Sequence, residues 1–315
     1  MERVLEVSKF WIQESNLSIT PINPKVTLIT NEKKNYVLKK KENLDQIIAE
    51  IKLLTTLSKY NIKVQQPLQT LEGNYFVSYE NTYYCMYEHL AGNVLEVKDI
   101  NRLKVLAGDI GKEIAKLHQA LSQLHTEMQF IERDLYMTVY EWAIPTIEES
   151  SNVSPKVIRL MKQLKPDMEK ILPSLPKQMI HRDTHLSNLV FEGNSFVGFL
   201  DFEIAEINIR VFDICYCLTS ILNELFTNEK LKNQWFSLIK PIIEGYNNQT
   251  PLTQEEKSVF WHVMLGIQVI FIAYFINSPE ILKINQDMFI WIYENKKTIE
   301  ECVQAVAIHS YIDPQ

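Results

Sequence analysis

Hydrophobic and polar positions change rhythm about a third of the way along the chain. Short runs rich in β-branched and aromatic residues, Lys25–Thr30, Asn35–Lys40, Tyr75–Tyr79 and Tyr83–Tyr87, are separated by turn signals such as Thr30-Asn31-Glu32 and Glu72-Gly73-Asn74. They predict antiparallel strands. Between them, apolar residues at 44, 47, 48, 51, 54 and 57 recur at helical spacing. After Gly92 the pattern is helical over Ile100–Leu121, Pro155–Leu172, Phe212–Phe226, Gln254–Ile276 and Gln286–Ile308. One hairpin interrupts it, Leu189–Phe191 and Phe196–Phe202 joined through Glu192-Gly193-Asn194. The expected fold is α+β, with a small antiparallel-sheet lobe over residues 1–90 and a larger helical lobe over 91–315.

Composition removes several classes of function. With 46% hydrophobic and 23% charged residues over 315 positions, the chain can bury a substantial core, and 8 glycines with 12 prolines exclude a collagen-like or wholly disordered chain. The cysteines (Cys85, Cys215, Cys217, Cys302) form no CxxC, so neither a disulfide framework nor a cysteine zinc site is expected. A net charge of −7 argues against a nucleic-acid partner and permits a cationic small molecule. The N-terminal MERVLEVSKFWIQESN lacks the apolar core of a signal peptide, so the expected location is cytoplasmic. Ser258–Pro279 carries no formal charge, but its apolar run, Val263–Ile276, is shorter than the roughly 20 residues a membrane span needs. A buried core helix is expected there and no membrane partner.

The chemistry concentrates in Met179-Ile180-His181-Arg182-Asp183-Thr184-His185-Leu186-Ser187-Asn188 and in Phe199-Leu200-Asp201-Phe202. A carboxylate, an amide five residues on, and a second carboxylate ending an apolar strand suit phosphoryl transfer. Asn188 and Asp201, brought together across the hairpin, would offer the hard oxygen ligands that magnesium takes. Asp183, in the preceding loop, would accept the hydrogen bond of an attacking hydroxyl.

HRDTHLSN followed by LDFE resembles the aminoglycoside phosphotransferase and choline kinase family, small-molecule kinases that share the protein-kinase fold. The family's loop reads H-G-D-x-H-x-x-N before an I-D-F-like strand end, so His181, Asp183, His185, Asn188, Asp201 and Phe202 match while Arg182 replaces the glycine. The resemblance implies a bilobal kinase-like fold, Asp183 as catalytic base, and Asn188 and Asp201 as magnesium ligands beside ATP. Phe212-Asp213-Ile214 resembles a helix start whose aspartate supports the catalytic loop. Cys85–Gly92 resembles the strand leading to the interlobe hinge, which makes Glu88 and Leu90 candidates beside the adenine. Ala115-Lys116-Leu117-His118 resembles the family's L-A-x-L-H helix end, with His118 expected as a packed core histidine.

A kinase also needs a lysine on the phosphates, steadied by a helix carboxylate. In Tyr36-Val37-Leu38-Lys39 the period of two puts Val37 and Lys39 on one face, which selects Lys39 over Lys40 and Lys41. Glu50, set among Ile47, Leu53, Leu54 and Leu57, points into the lobe and is expected to pair with Lys39. No glycine precedes Gly73, and the candidate phosphate loop is Pro21-Ile22-Asn23-Pro24, where two prolines remove amide donors.

Two alternatives compete with an active kinase. A pseudokinase is motivated by the glycine-free loop, and a metallohydrolase by the alternation of His181, Asp183 and His185, with His262 and His309 as the remaining downstream histidines. Only 11 residues separate Asp201 from Asp213, too few for a peptide-binding activation segment, so the acceptor is expected to be a small molecule. Glu203 and Glu206 favour an amine-bearing acceptor, and Arg210 or Arg182 could meet a carboxylate such as that of homoserine.

Overall fold

The computed structural model describes residues 2–14, 16–97, 99–124 and 130–307, and their contacts divide the chain into two compact units. The first holds Met1–Val94 with Asn188–Glu203, the second Leu95–Ser187 with the chain from Ile204 onward.

The first unit is built on a five-stranded antiparallel sheet of order β1-β2-β3-β5-β4: Ser18–Pro21, Val26–Thr30, Asn35–Lys41, Thr82–Glu88 and Val77–Tyr79 respectively. Alternation gives the central strands two faces. Leu38, Tyr84 and Met86 pack with Val7, Trp11, Ile12 and Ile29 into one hydrophobic cluster. Val37, Lys39 and Lys41, opposite Tyr87, Cys85 and Tyr83, share the other face. The helix Leu44–Lys59 starts where the Asn43 side chain accepts from the Gln46 amide, and it buries Ile47, Leu53, Leu54 and Leu57 together with Glu50.

The hairpin β8 (Leu189–Glu192) and β9 (Ser195–Phe199), with the short strand β6 (Asn93–Val94), completes this unit. Sequence proximity to the helical region assigns it to residues 91–315, but its strand edge is satisfied elsewhere. Phe199 donates its amide to Lys63 O (2.9 Å), and its carbonyl accepts from Gln65 N (3.2 Å).

The second unit is helical apart from the pair β7 (Lys177–Ile180) and β10 (Glu206–Ile209). Its helices Ile100–Leu124 and Phe236–Asn247 cross so closely that a Cβ on Gly111 would overlap the carbonyl oxygen of Ile242, and one on Gly245 that of Gly108. These two glycines permit backbone contact. The expected helix Phe212–Phe226 is observed at Val211–Leu225. The one expected over Gln254–Ile276 breaks at Val259 into Gln254–Ser258 and Phe260–Tyr274. Pro279–Glu294 and Lys296–Gln304 occupy the last predicted stretch, whose final residue, Ile308, lies outside the described residues, as does His309. Phe260–Tyr274 is buried on nearly every side, and no helix among the described residues is long and apolar enough to cross a membrane.

Candidate active site

In the second unit the segment His181–Ser187 is pinned by the helix that follows it. Asp213, fully buried near the start of Val211–Leu225, accepts from His181 N at Oδ2 and from Arg182 N at Oδ1, both at 2.9 Å. His118 Nε2 lies 2.9 Å from the same Oδ2 and its Nδ1 lies 2.8 Å from the Tyr246 hydroxyl, so His118 is the packed, bonded histidine its motif implied. Thr184 Oγ1 donates to the carbonyl of Asp213 (2.6 Å). With both neighbours tied down, Arg182 adopts φ +73°, the left-handed region where glycine is at ease.

Asp183 follows. Its amide donates to His181 Nδ1 (3.2 Å), and its Oδ1 accepts from the Tyr216 hydroxyl (2.9 Å). His185 Nδ1 accepts from Ser187 N (3.2 Å). The two histidines therefore spend Nδ1 on the loop's own amides, and among the described residues no group of three or more His, Cys, Asp or Glu could hold a metal ion. Among the described residues the zinc arrangement required by a metallohydrolase is not formed.

The first unit carries the other set. Lys39 Nζ lies 3.6 Å from Asp201 Oδ1 and 5.2 Å from the centre of the Tyr87 ring. Glu50 does not pair with Lys39. Its Oε2 is 2.8 Å from Lys41 Nζ, both side chains are 3% exposed, and the Tyr87 hydroxyl donates to the same oxygen at 3.1 Å. The pairing expected from alternation fails because residues two apart share a face, so the rule removes exposed Lys40 but cannot separate Lys39 from Lys41. Burial pulls the Lys41 ammonium down, but Glu50 above all, with Glu203 and Asp201, outweighs it and leaves the group above its ordinary value. Cys85, on the same face, is pushed up to about 12 by burial and then by Glu50, so it remains a thiol.

Asp201 also sits in the left-handed region, at φ +58°. Leu200 donates its amide to Asn188 O (2.9 Å), continuing the Leu189–Phe199 register and setting Asn188 beside the strand end that carries Asp201. The donors on offer are a carboxylate and a side-chain amide oxygen. That set fits magnesium, which takes oxygen ligands, keeps several waters and completes its shell with phosphate oxygens.

Backbone donors are scarce where the nucleotide loop was expected. Around residues 22–26, Ile22 and Asn23 donate to Val26 O, while Lys25 and Val26 donate to the Asn23 side chain. Glu88, expected beside the adenine, donates its amide to Gln66 O and accepts at its carbonyl from Gln65 Nε2, each at 2.9 Å. Those bonds fix the end of β5, ahead of Leu90.

Two of the three acceptor candidates are committed inside the second unit. Glu206, 3% exposed, accepts from Arg182 Nη1 (2.6 Å), from Asn208 Nδ2 (2.8 Å) and, as an ion pair, meets Arg133 Nε (3.1 Å). Burial raises its carboxyl, and the arginines and Asn208 only partly offset that. Arg210 forks onto both oxygens of Glu256 at 2.6 Å and onto Pro251 O at 2.8 Å. Neither side chain is placed to face an acceptor. Glu203, in the first unit, lies 3.4 Å from Lys41 Nζ. Tyr216 and Arg133 are the site residues that sequence reasoning missed; Tyr216 had a signal, since it follows Asp213 by three and so shares its helix face.

Comparisons with known proteins bear on the fold and the family. The chain is 22% identical over 253 residues to the homoserine kinase of Zymomonas mobilis subsp. mobilis, covering 78% of this chain and 75% of that one. A microcompartment-associated aminopropanol kinase superposes with a TM-score of 0.75 at 11% identity, covering 95% of this chain and 98% of that one. An amicoumacin kinase solved with AMP-PNP and Ca2+ gives 0.71 at 16% identity, over 95% and 94% of the two chains. Residues 21–234, which contain Lys39, Glu50, Asp183, Asn188, Asp201 and Asp213, match the model of the phosphotransferase enzyme family, and the chain belongs to that family.

Proposed function

We propose that this small-molecule kinase transfers the γ-phosphoryl group of ATP to the hydroxyl of a small amine-bearing alcohol, with homoserine the first candidate. The observation that carries the reading is the catalytic loop itself. Asp183 is held by backbone and side-chain bonds, which suits a carboxylate that must orient a hydroxyl, and the Leu200–Asn188 backbone bond sets Asn188 beside the strand end that carries Asp201, which supports these two as the oxygen ligands. Lys39 meets the phosphates and Val37 packs on the base. Magnesium, when bound by Asn188 and Asp201, neutralises charge on the phosphate oxygens. Asp183 orients the acceptor hydroxyl and takes its proton late in a loose transition state.

The amine-bearing class rests on the relatives, since homoserine and aminopropanol each combine an amine with a hydroxyl. Arg133, half exposed, supports a carboxylate on the acceptor, because it shares the single Glu206 carboxylate with Arg182. The free thiols of Cys85, Cys215, Cys217 and Cys302 support a reducing, cytoplasmic setting. The test is ADP release over a panel of L-homoserine, 1-amino-2-propanol, choline, an aminoglycoside and the amine-free glycerol. Turnover with an amine-bearing alcohol and none with glycerol is the expected result. Glycerol used as well as any amine would sink the acceptor class. The internally bonded loop at 22–26 favours the pseudokinase alternative, which takes over if millimolar ATP with magnesium gives no thermal shift at all.

A further inference from the structure

We infer that the Tyr216 hydroxyl is a positioning group that holds the Asp183 carboxylate in its reactive orientation. The inference rests on the kinase reading above. It starts from the helix Val211–Leu225, which reaches the catalytic loop at two points from one face. Asp213 binds the backbone amides of His181 and Arg182, fixing where the loop runs. Tyr216, three residues later, reaches one residue further and donates to Asp183 Oδ1 at 2.9 Å. Backbone and side chain of the loop are thus set by the same rigid element, as a site that must hold its geometry requires.

The tyrosine is itself held. Its ring stacks on Phe212 one helical turn back, with centroids 6.0 Å apart and planes 16° from parallel, and packs at 5.8 Å against Phe271. The ring cannot swing away without breaking both contacts. Burial and the nearby Asp183 charge push the Tyr216 hydroxyl well above its ordinary value, so it stays a donor throughout the working range. A carboxylate has about four lone-pair sites on two oxygens, so it can accept from the Tyr216 hydroxyl and from other donors at once.

Tyr216→Phe keeps the ring and removes only the donor. Its kcat should fall roughly 10-fold or more, the scale of one hydrogen bond to a charged group. The thermal shift with ATP and magnesium should match wild type. A kcat within about twofold of wild type overturns the inference, and so does loss of the ATP-dependent shift alongside kcat, which would make the hydroxyl merely structural. The contact is read without turnover from the 13Cζ resonance of Tyr216, assigned by its absence in Tyr216→Phe. It should move in Asp183→Ala and stay put in Asp201→Asn; no response to Asp183→Ala overturns the inference. Wild type that binds ATP but releases no ADP with any acceptor, its resonance still responding, overturns the kinase reading and reduces the contact to a structural one.

Discussion

Lys39 and Lys41 lie on one face of one strand, yet the structure gives them different partners, and substituting each in turn separates the two. Lys41 and Glu50 are 2.8 Å apart and both 3% exposed. At an effective dielectric of about 20 their gross attraction is about 6 kcal/mol, set against the cost of burying both charges. Lys41→Met keeps the aliphatic stem but leaves Glu50 bonded to the neutral Tyr87 hydroxyl, so a buried carboxylate loses its counter-charge. Breaking such a pair from one side costs about 3–5 kcal/mol, a large part of the roughly 5–15 kcal/mol that stabilises a folded protein. Lys41→Met/Glu50→Gln removes both charges and leaves Tyr87 an acceptor, so most of the loss should return, with about 1–2 kcal/mol remaining. Lys39→Met should cost about 1 kcal/mol, because the Asp201 side chain as a whole is 41% exposed and lies 3.6 Å away, although its Oδ1 facing the lysine is buried.

The measurement is urea unfolding of all four proteins at neutral pH without nucleotide, together with hydrogen exchange of β3 and β5 amides, which reports this unit even if the other unfolds separately. The order expected is Lys41→Met far below the double variant and Lys39→Met, both close to wild type. Equal losses for the two single variants, or a double variant no better than Lys41→Met, would refute the division of labour. The pair also has a pH limit. The Lys41 value is raised in the folded state, so its contribution is complete below the unfolded value of 10.5 and is lost as pH climbs through the folded one.

Three further outcomes are expected. Lys39→Ala should abolish the thermal shift that ATP and magnesium give while leaving apo stability nearly unchanged. Asp201→Asn should weaken metal-dependent ATP binding in calorimetry, whereas Asp183→Asn should bind ATP normally and lose roughly 10²-fold or more in kcat; equal binding losses would void the base assignment. Burial, helped by the Lys296 charge, lowers His262 from 6.5 to about 4, so the unfolded chain takes up this proton first and stability falls by up to about 3 kcal/mol between those two values. His262→Gln should flatten that stretch of the stability profile, and an unchanged acid slope would show the penalty lies elsewhere.

The elements were legible because their patterns are local. Alternation in Asn35–Lys41 and Thr82–Glu88, and helical spacing in Leu44–Lys59, each encode one buried face. The candidate loop His181–Asn188 stood out for a different reason, since its spacing suits a chemistry that few other segments need. What failed was partner choice. Glu206-Ile207-Asn208-Ile209 alternates as though Glu206 and Asn208 faced solvent, but both are buried. Arg133 and Arg182, 73 and 24 residues upstream, supply the charge that makes burial of Glu206 tolerable. No local pattern records such a pairing. Lys41 was lost in the same way, because a period of two ranks faces and says nothing about which of two lysines on one face a distant helix will meet.

Replacement of the family's glycine by Arg182 tests how the loop holds its shape. A non-glycine residue at φ +73° costs about 1–2 kcal/mol, as does Asp201 at φ +58° to a lesser degree, since aspartate tolerates that region better. Glycine would avoid the cost but would supply no tether. Arg182 supplies one: its amide is held by Asp213, its guanidinium binds Glu206 at 2.6 Å, and it lies 5.1 Å over the Phe212 ring. Those bonds reach β10 and the helix that also carries Tyr216, so the strained residue is fixed from the same directions as the carboxylate beside it. The strain is thus offset by contacts that orient Asp183, and the glycine's freedom is unnecessary once the left-handed turn is clamped from both sides.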